Sequence, residues 1–125
     1  MADKAEMGEA SPETSSDGDA AESSDTPVSI TGADDLGDLV DRNGTVLVDF
    51  YADWCGPCQA MEPVVERLAA ETDATVATVD IEAAEALAHD HGVRSIPTFL
   101  VFADGEEVER FVGTQDEERL RAALE

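Results

Sequence analysis

The stretch Val46 to Gln59, Val-Leu-Val-Asp-Phe-Tyr-Ala-Asp-Trp-Cys-Gly-Pro-Cys-Gln, constrains this chain more than any other. Its first half is an apolar run broken only by Asp49, the pattern of a strand buried on both faces in a parallel or mixed sheet covered by helices. The run ends at a Trp-Cys-Gly-Pro-Cys turn, and a helical pattern begins directly after it. Cys55 and Cys58, both cysteines of the chain, lie three positions apart, which lets them form a disulfide within one helical turn. The first sulfur then sits at a helix N-terminus, where unpaired N–H groups and the helix dipole favour a thiolate. A thiolate is the nucleophile of disulfide exchange, so the stretch points to that chemistry.

A Cys-x-x-Cys pair has one serious rival reading, half of a zinc site. Such a site needs further ligands, and only His89 and His91 are on offer. Their His-x-His spacing does not match the usual zinc pattern, and Gly56-Pro57 between the cysteines is a redox filling. No metal is therefore expected. His89 and His91 read as solvent-facing residues at a helix end, where imidazolium suits the dipole.

Charge sets the next limits. Seven basic residues stand against 30 acidic ones, a net charge of −23. Nucleic acid and anionic membrane surfaces are excluded as partners of a basic patch. Lys4 is the sole lysine. Acid in such excess, with so little Lys, fits a protein adapted to concentrated salt, where a Debye length of about 3 Å at 1 M screens the repulsion. No apolar run approaches the ~18 residues of a membrane span. The first residues lack a basic segment followed by an apolar core, so no secretory leader is expected. Two cysteines without a leader suggest a reducing, cytoplasmic setting.

In order along the chain, residues 1–27 read as a disordered acidic tail. Eight acids accompany Lys4 there, and no Leu, Ile, Val or aromatic residue does. Residues 28–125 form the domain. Val28 to Ile30 suits a short edge strand, and Thr31 or Asp34 can cap a helix reaching about Val40. Asn43-Gly44 marks a turn, and Thr45 to Tyr51 is the central strand. A helix follows from about Cys55 to Glu71, with Met61, Val64, Val65, Leu68 and Ala69 inward and a kink at Pro63. Thr75 to Asp80 alternates as a strand. Glu82 to Asp90 reads as a helix with Ala83, Ala86 and Leu87 on one face, ended by Gly92. Thr98 to Phe102, a turn at Asp104-Gly105 and Val108 to Val112 make an antiparallel hairpin. Thr114 and Glu117 can form a capping box for a last helix that turns Leu120, Ala123 and Leu124 inward. The sum is an α/β layer fold with a mixed sheet.

The segment Val48-Asp49-Phe50-Tyr51-Ala52-Asp53-Trp54-Cys55-Gly56-Pro57-Cys58 closely resembles the active-site segment of thioredoxins. Ser95-Ile96-Pro97-Thr98 resembles that family's cis-proline loop, Pro63 its helix proline, and Val112-Gly113 the end of its last strand. The resemblance spans roughly Val28 to Glu125. It implies a central sheet of five strands in the order first, third, second, fourth, fifth, flanked by four helices. It implies Cys55 as exposed nucleophile, Cys58 as buried resolving thiol and Asp49 as the acid–base group behind Cys58. It further implies that Trp54, Gly56, Pro57, Ile96, Pro97 and Gly113 receive a protein disulfide substrate.

By the same alignment the family's third-strand Lys is Thr78 here, so Asp49 should be harder to ionise. Glu62 and Gln59 stand where basic residues are frequent. Burial should itself raise the pKa of Asp49, which suits a group that takes the proton of Cys58. The reaction needs no cofactor within the chain. The absence of a Gly-rich dinucleotide fingerprint points to a separate reductase as electron source. The expected protein is a monomeric protein-disulfide reductase. The alternatives are an oxidase or isomerase of the same fold and a non-catalytic module that binds through the Trp54/Pro97 surface.

Overall fold

The computed structural model describes residues 25–125, so the expected tail lies outside the described residues except for its last three. The elements are β1 (Val28–Ser29), α1 (Ala33–Arg42), β2 (Thr45–Tyr51), α2 (Gly56–Glu71), β3 (Thr75–Asp80), α3 (Glu85–Asp90), β4 (Thr98–Ala103), β5 (Glu106–Val112) and α4 (Glu117–Ala123). They build one five-stranded sheet in the order β1-β3-β2-β4-β5. β1, β3 and β2 run parallel, whereas β4 and β5 are antiparallel to their neighbours. The chain thus has the thioredoxin-type mixed sheet with four helices.

β2 lies in the middle, and the alternation of its side chains divides the interior into two layers. Val46, Val48 and Phe50 pack with Leu36 and Leu39 of α1 and Leu87 of α3. Leu47 points the other way and packs with Val65 and Leu68 of α2 and Leu120 of α4. By that alternation Asp49 shares the α2 side with Leu47. Beside Asp49, Phe99 of β4 is fully buried in the same layer.

Several local expectations give way to tertiary contacts. α1 is capped by the backbone at Gly32 with no side-chain hydrogen bond, so neither Thr31 nor Asp34 serves, and the helix runs two residues past Val40. α3 starts at Glu85 and not Glu82, because Asp80 holds the preceding residues in a turn. Its carbonyl accepts from the N–H groups of Ala83 and Ala84, and its Oδ1 accepts from the Glu82 N–H at 2.9 Å. The buried face of that region is accordingly Ala84, Leu87 and Ala88, while Ala83 and Ala86 are exposed. Val64 is half-buried. His89 is exposed, but His91 is half-buried, its ring 6.1 Å from those of Phe50 and Phe102.

The hairpin turn carries φ of 53° at Asp104 and 90° at Gly105, the paired positive angles of a type I′ turn. The ladder slips between Val101 and Phe102, which pair with Glu109 and Glu107, so Val108 is left over and stands exposed. At the C-terminus the Thr114 capping box does not form. α4 begins after Asp116 without a side-chain cap, and Glu117 turns to α2 instead. It accepts from Arg67 at 2.7 Å and from Arg121 at 2.7 Å, and Arg121 also reaches Glu71 at 2.8 Å. These bonds, first that of Arg67 and then that of Arg121, hold the Glu117 carboxyl down to about 2.

Replacing Phe99 by Ala removes the largest side chain packed beside Asp49. Denaturant unfolding of the oxidised protein should show a loss of about 3–5 kcal/mol, the range for a buried Phe truncation. A loss well under about 1 kcal/mol would mean that the α2-side layer closes over the gap.

Candidate active site

The cysteine turn is built by the start of α2. Cys55 is its N-cap, with extended backbone, and its Sγ accepts the Cys58 N–H at 3.2 Å. Pro57 occupies the first turn, where a missing N–H costs nothing. The Gln59 side chain donates to the Asp53 carbonyl at 2.7 Å and the Cys55 N–H to the Ala52 carbonyl at 3.1 Å, which pins the turn to the end of β2. Cys55 and Cys58 are joined as a disulfide with Cα atoms 5.2 Å apart.

The expected exposure of Cys55 is not seen. Cys55 is 5 % exposed and Cys58 4 %, because both pack with Ala52, Tyr51, Ile81 and Ile96. What separates the two sulfurs is the helix end: the sulfur of Cys55 is the one that receives an N–H.

A second segment arrives from the far end of the chain. The Ile96–Pro97 peptide bond is cis, and Ile96 packs against the cysteine cluster while Pro97 is buried. The Pro97 carbonyl accepts the Gly113 N–H at 2.7 Å, and Gly113 has φ of 90°, a conformation that favours glycine. Trp54 stands 65 % exposed beside the turn. Its Nε1 donates to Glu82 Oε2 at 2.6 Å. Glu82 was not singled out by the sequence, since the only signal, an acid shortly after a strand, is common and the contact spans 28 residues.

Asp49 lies behind the disulfide on the α2 side of β2. It is 5 % exposed, and its Oδ1 has no hydrogen-bond partner among the described residues. Thr78 pairs with it in register on β3. Burial, and after it the charge of Glu62, push the Asp49 carboxyl up to about 7. Asp49 and Cys58 line one cleft.

A family model described as Thioredoxin matches residues 28–125. The chain belongs to the thioredoxin family. A thioredoxin of Chlamydia muridarum is 48% identical over 94 residues, 74% of this chain and 91% of that protein. The solved structure of a mutant thioredoxin from Halobacterium salinarum is 53% identical, with a TM-score of 0.78 over 80% of this chain and 88% of that one. A bifunctional thioredoxin reductase/thioredoxin of Mycobacterium leprae is 38% identical over 97 residues, which cover 76% of this chain and 21% of that protein. The Cys55-Gly56-Pro57-Cys58 pair is the redox centre of a thiol–disulfide oxidoreductase that reduces protein disulfides.

An acid whose folded pKa lies above its unfolded value favours the fold only while protonated. For Asp49 that contribution is complete below its unfolded value of about 3.9. It is lost as pH rises through about 7. Oxidised Asp49→Asn should therefore gain stability over the parent between those limits, by on the order of 4 kcal/mol at pH 9 relative to pH 4. Urea midpoints across pH read this difference, and a constant offset at all pH values would contradict the assignment.

Proposed function

We propose that Cys55 is the attacking thiolate, Cys58 the resolving thiol and Asp49 the base that deprotonates it. One observation carries this reading: the sulfur of Cys55 accepts an N–H at the start of α2 while Cys58 shares a cleft with a buried carboxyl whose pKa is about 7. The Cys55 thiolate attacks a substrate disulfide, forms a mixed disulfide and expels the first substrate thiolate. Asp49 takes the proton of Cys58. The Cys58 thiolate then attacks the Cys55 sulfur, which releases the second substrate thiolate and closes the Cys55–Cys58 bond. Two electrons pass to the substrate, and its thiolates take up protons from Asp49 and solvent. Trp54, Gly56, Pro57, Ile96 and Gly113 border the place where the substrate docks, with Pro97 beneath supporting the loop.

Electrons enter from a separate reductase in this reading. The M. leprae relative, named for both activities, supports such a partnership. We place the protein in the cytoplasm as a monomer with an acidic N-terminal extension. Among the described residues no helix is long and apolar enough to cross a membrane. Salt adaptation is supported by the net charge of −23 and by the likeness to a Halobacterium salinarum thioredoxin.

Mixing each single-cysteine variant with a disulfide-linked protein tests the roles. Cys58→Ser should accumulate a mixed disulfide through Cys55, and Cys55→Ser should accumulate none; the reverse pattern overturns the assignment. Thiol content of the parent in graded redox buffers should give a potential near about −270 mV, whereas about −120 mV would favour the oxidase reading.

For the salt reading, thermal unfolding of the oxidised protein should shift to higher temperature in molar KCl relative to dilute buffer. Equal midpoints in the two would remove it.

A further inference from the structure

The loop between α3 and β4 is anchored to the β5 region at both of its ends. Gly113, just after β5, donates its N–H to the Pro97 carbonyl at 2.7 Å. The other anchor is a side chain. Arg110 Nη2 donates to the His91 carbonyl at 2.7 Å, and its Nη1 donates to the Gly92 carbonyl at a longer 3.5 Å. His91 and Gly92 follow directly on α3, where carbonyls lack N–H partners from a next turn and a cationic side chain can satisfy them.

Register brings Arg110 to this place. It pairs with Leu100 on β4, and Leu100 belongs to the layer covered by α1 and α3. Its neighbour Phe111 packs into the opposite layer, as strand alternation requires. Glu107 then aims the guanidinium, accepting from Nε at 3.0 Å and from Nη2 at 3.3 Å. The anchored stretch leads to the redox centre. Ile96 comes four positions after Gly92 and packs against Cys55 and Cys58.

We propose that Arg110 is a positioning residue for protein-disulfide reduction: by holding the His91 and Gly92 carbonyls it sets where the Ile96–Pro97 loop meets the substrate. This rests on the reading of Ile96 and Pro97 as part of the docking surface. A guanidinium suits the task, because its fixed fork of donors serves two carbonyls and a carboxylate at once, whereas an ammonium is a point charge on a flexible stem. Arg110 acts through the loop, so its loss leaves the reactivity of the thiols intact. A small disulfide offers only its sulfurs and draws nothing from the loop. A polypeptide lying along the loop does, so Arg110 favours polypeptide disulfides over small ones.

The test compares Arg110→Ala with the parent as full chains. In single-turnover reactions of the reduced proteins, the rate with insulin, a disulfide-linked polypeptide, should fall roughly three- to tenfold, the worth of about one net hydrogen bond. The rate with hydroxyethyl disulfide should stay at the parental value. Arg110→Lys, which keeps a cationic donor, should recover part of the insulin rate, and Glu107→Gln should show a smaller loss in the same direction. In the oxidised proteins, hydrogen exchange of the Gly92 and Val93 amides, bonded to the His89 and Ala88 carbonyls, should be faster in Arg110→Ala, while the amides of α2 keep their rates. Unchanged exchange at Gly92 and Val93, or an equal loss with both disulfides, would overturn the proposal. Faster exchange with the parental insulin rate would also overturn it, and would place the fault in the docking reading, since the loop would have loosened without any effect on the substrate.

Discussion

A carboxyl group inside an apolar strand is the constraint on which the rest of this molecule turns. β2 is buried on both faces because it is the central strand of the sheet. Its side chains alternate, so whatever stands at position 49 must project toward α2. The helix that covers this side is the one that begins with the redox turn, and its third residue, Cys58, lines the same cleft as the carboxyl. Leu47, one alternation earlier, is packed against by apolar side chains of α2, β3 and α4, whereas Asp49 borders a water-accessible cleft. Protonation relieves the burial at the expense of pH-dependent stability, and a carboxyl near 7 can give and take protons under ordinary conditions.

The redox turn is assembled from segments that local structure alone would not bring together. α2 supplies the cap and the N–H that meets the Cys55 sulfur. The Ile96–Pro97 loop enters from the start of β4, and Gly113 at the end of β5 secures it through the Pro97 carbonyl. The turn after β3 contributes Glu82, which holds the indole of Trp54. All these segments lie at one end of the sheet, so the apolar layers that order the strands also order the site.

Charge is spread unevenly, with 30 acidic residues against seven basic ones. Thr78, beside Asp49 on β3, is uncharged, and the cleft beside the thiols is lined by acids. The few arginines are used sparingly. Arg67 and Arg121 tie α4 to α2 through Glu117 and Glu71. Arg110 donates to the His91 carbonyl at 2.7 Å and so ties β5 to the end of α3. An acidic surface of this kind leaves long-range repulsion to be handled by dissolved cations.

Much of this was legible in the chain. The apolar run of β2, the alternation of β3, the Asp104-Gly105 turn and the helical spacing after Cys55 are local patterns, and each element appears where its pattern lies. The cysteine pair and its Gly-Pro filling announced the redox chemistry, and the lone acid in a buried strand stood out beside them. Capping was not legible. Thr114 and Asp34 have the right side chains in the right places, yet Gln115 bonds the Val112 carbonyl and Glu117 prefers two arginines. The late start of α3 follows from the Asp80 turn, and the half-buried His91 from rings on β2 and β4. By itself, then, the sequence determined the order of elements, the buried faces of the central strands and the redox cysteine pair, since these depend on periodicity and local chemistry. Only the tertiary structure decided the equal burial of the two cysteines, the Glu82 hold on Trp54 and the unpartnered oxygen of Asp49 in an acidic cleft. These depend on which distant side chains meet, and that is set by packing across the sheet.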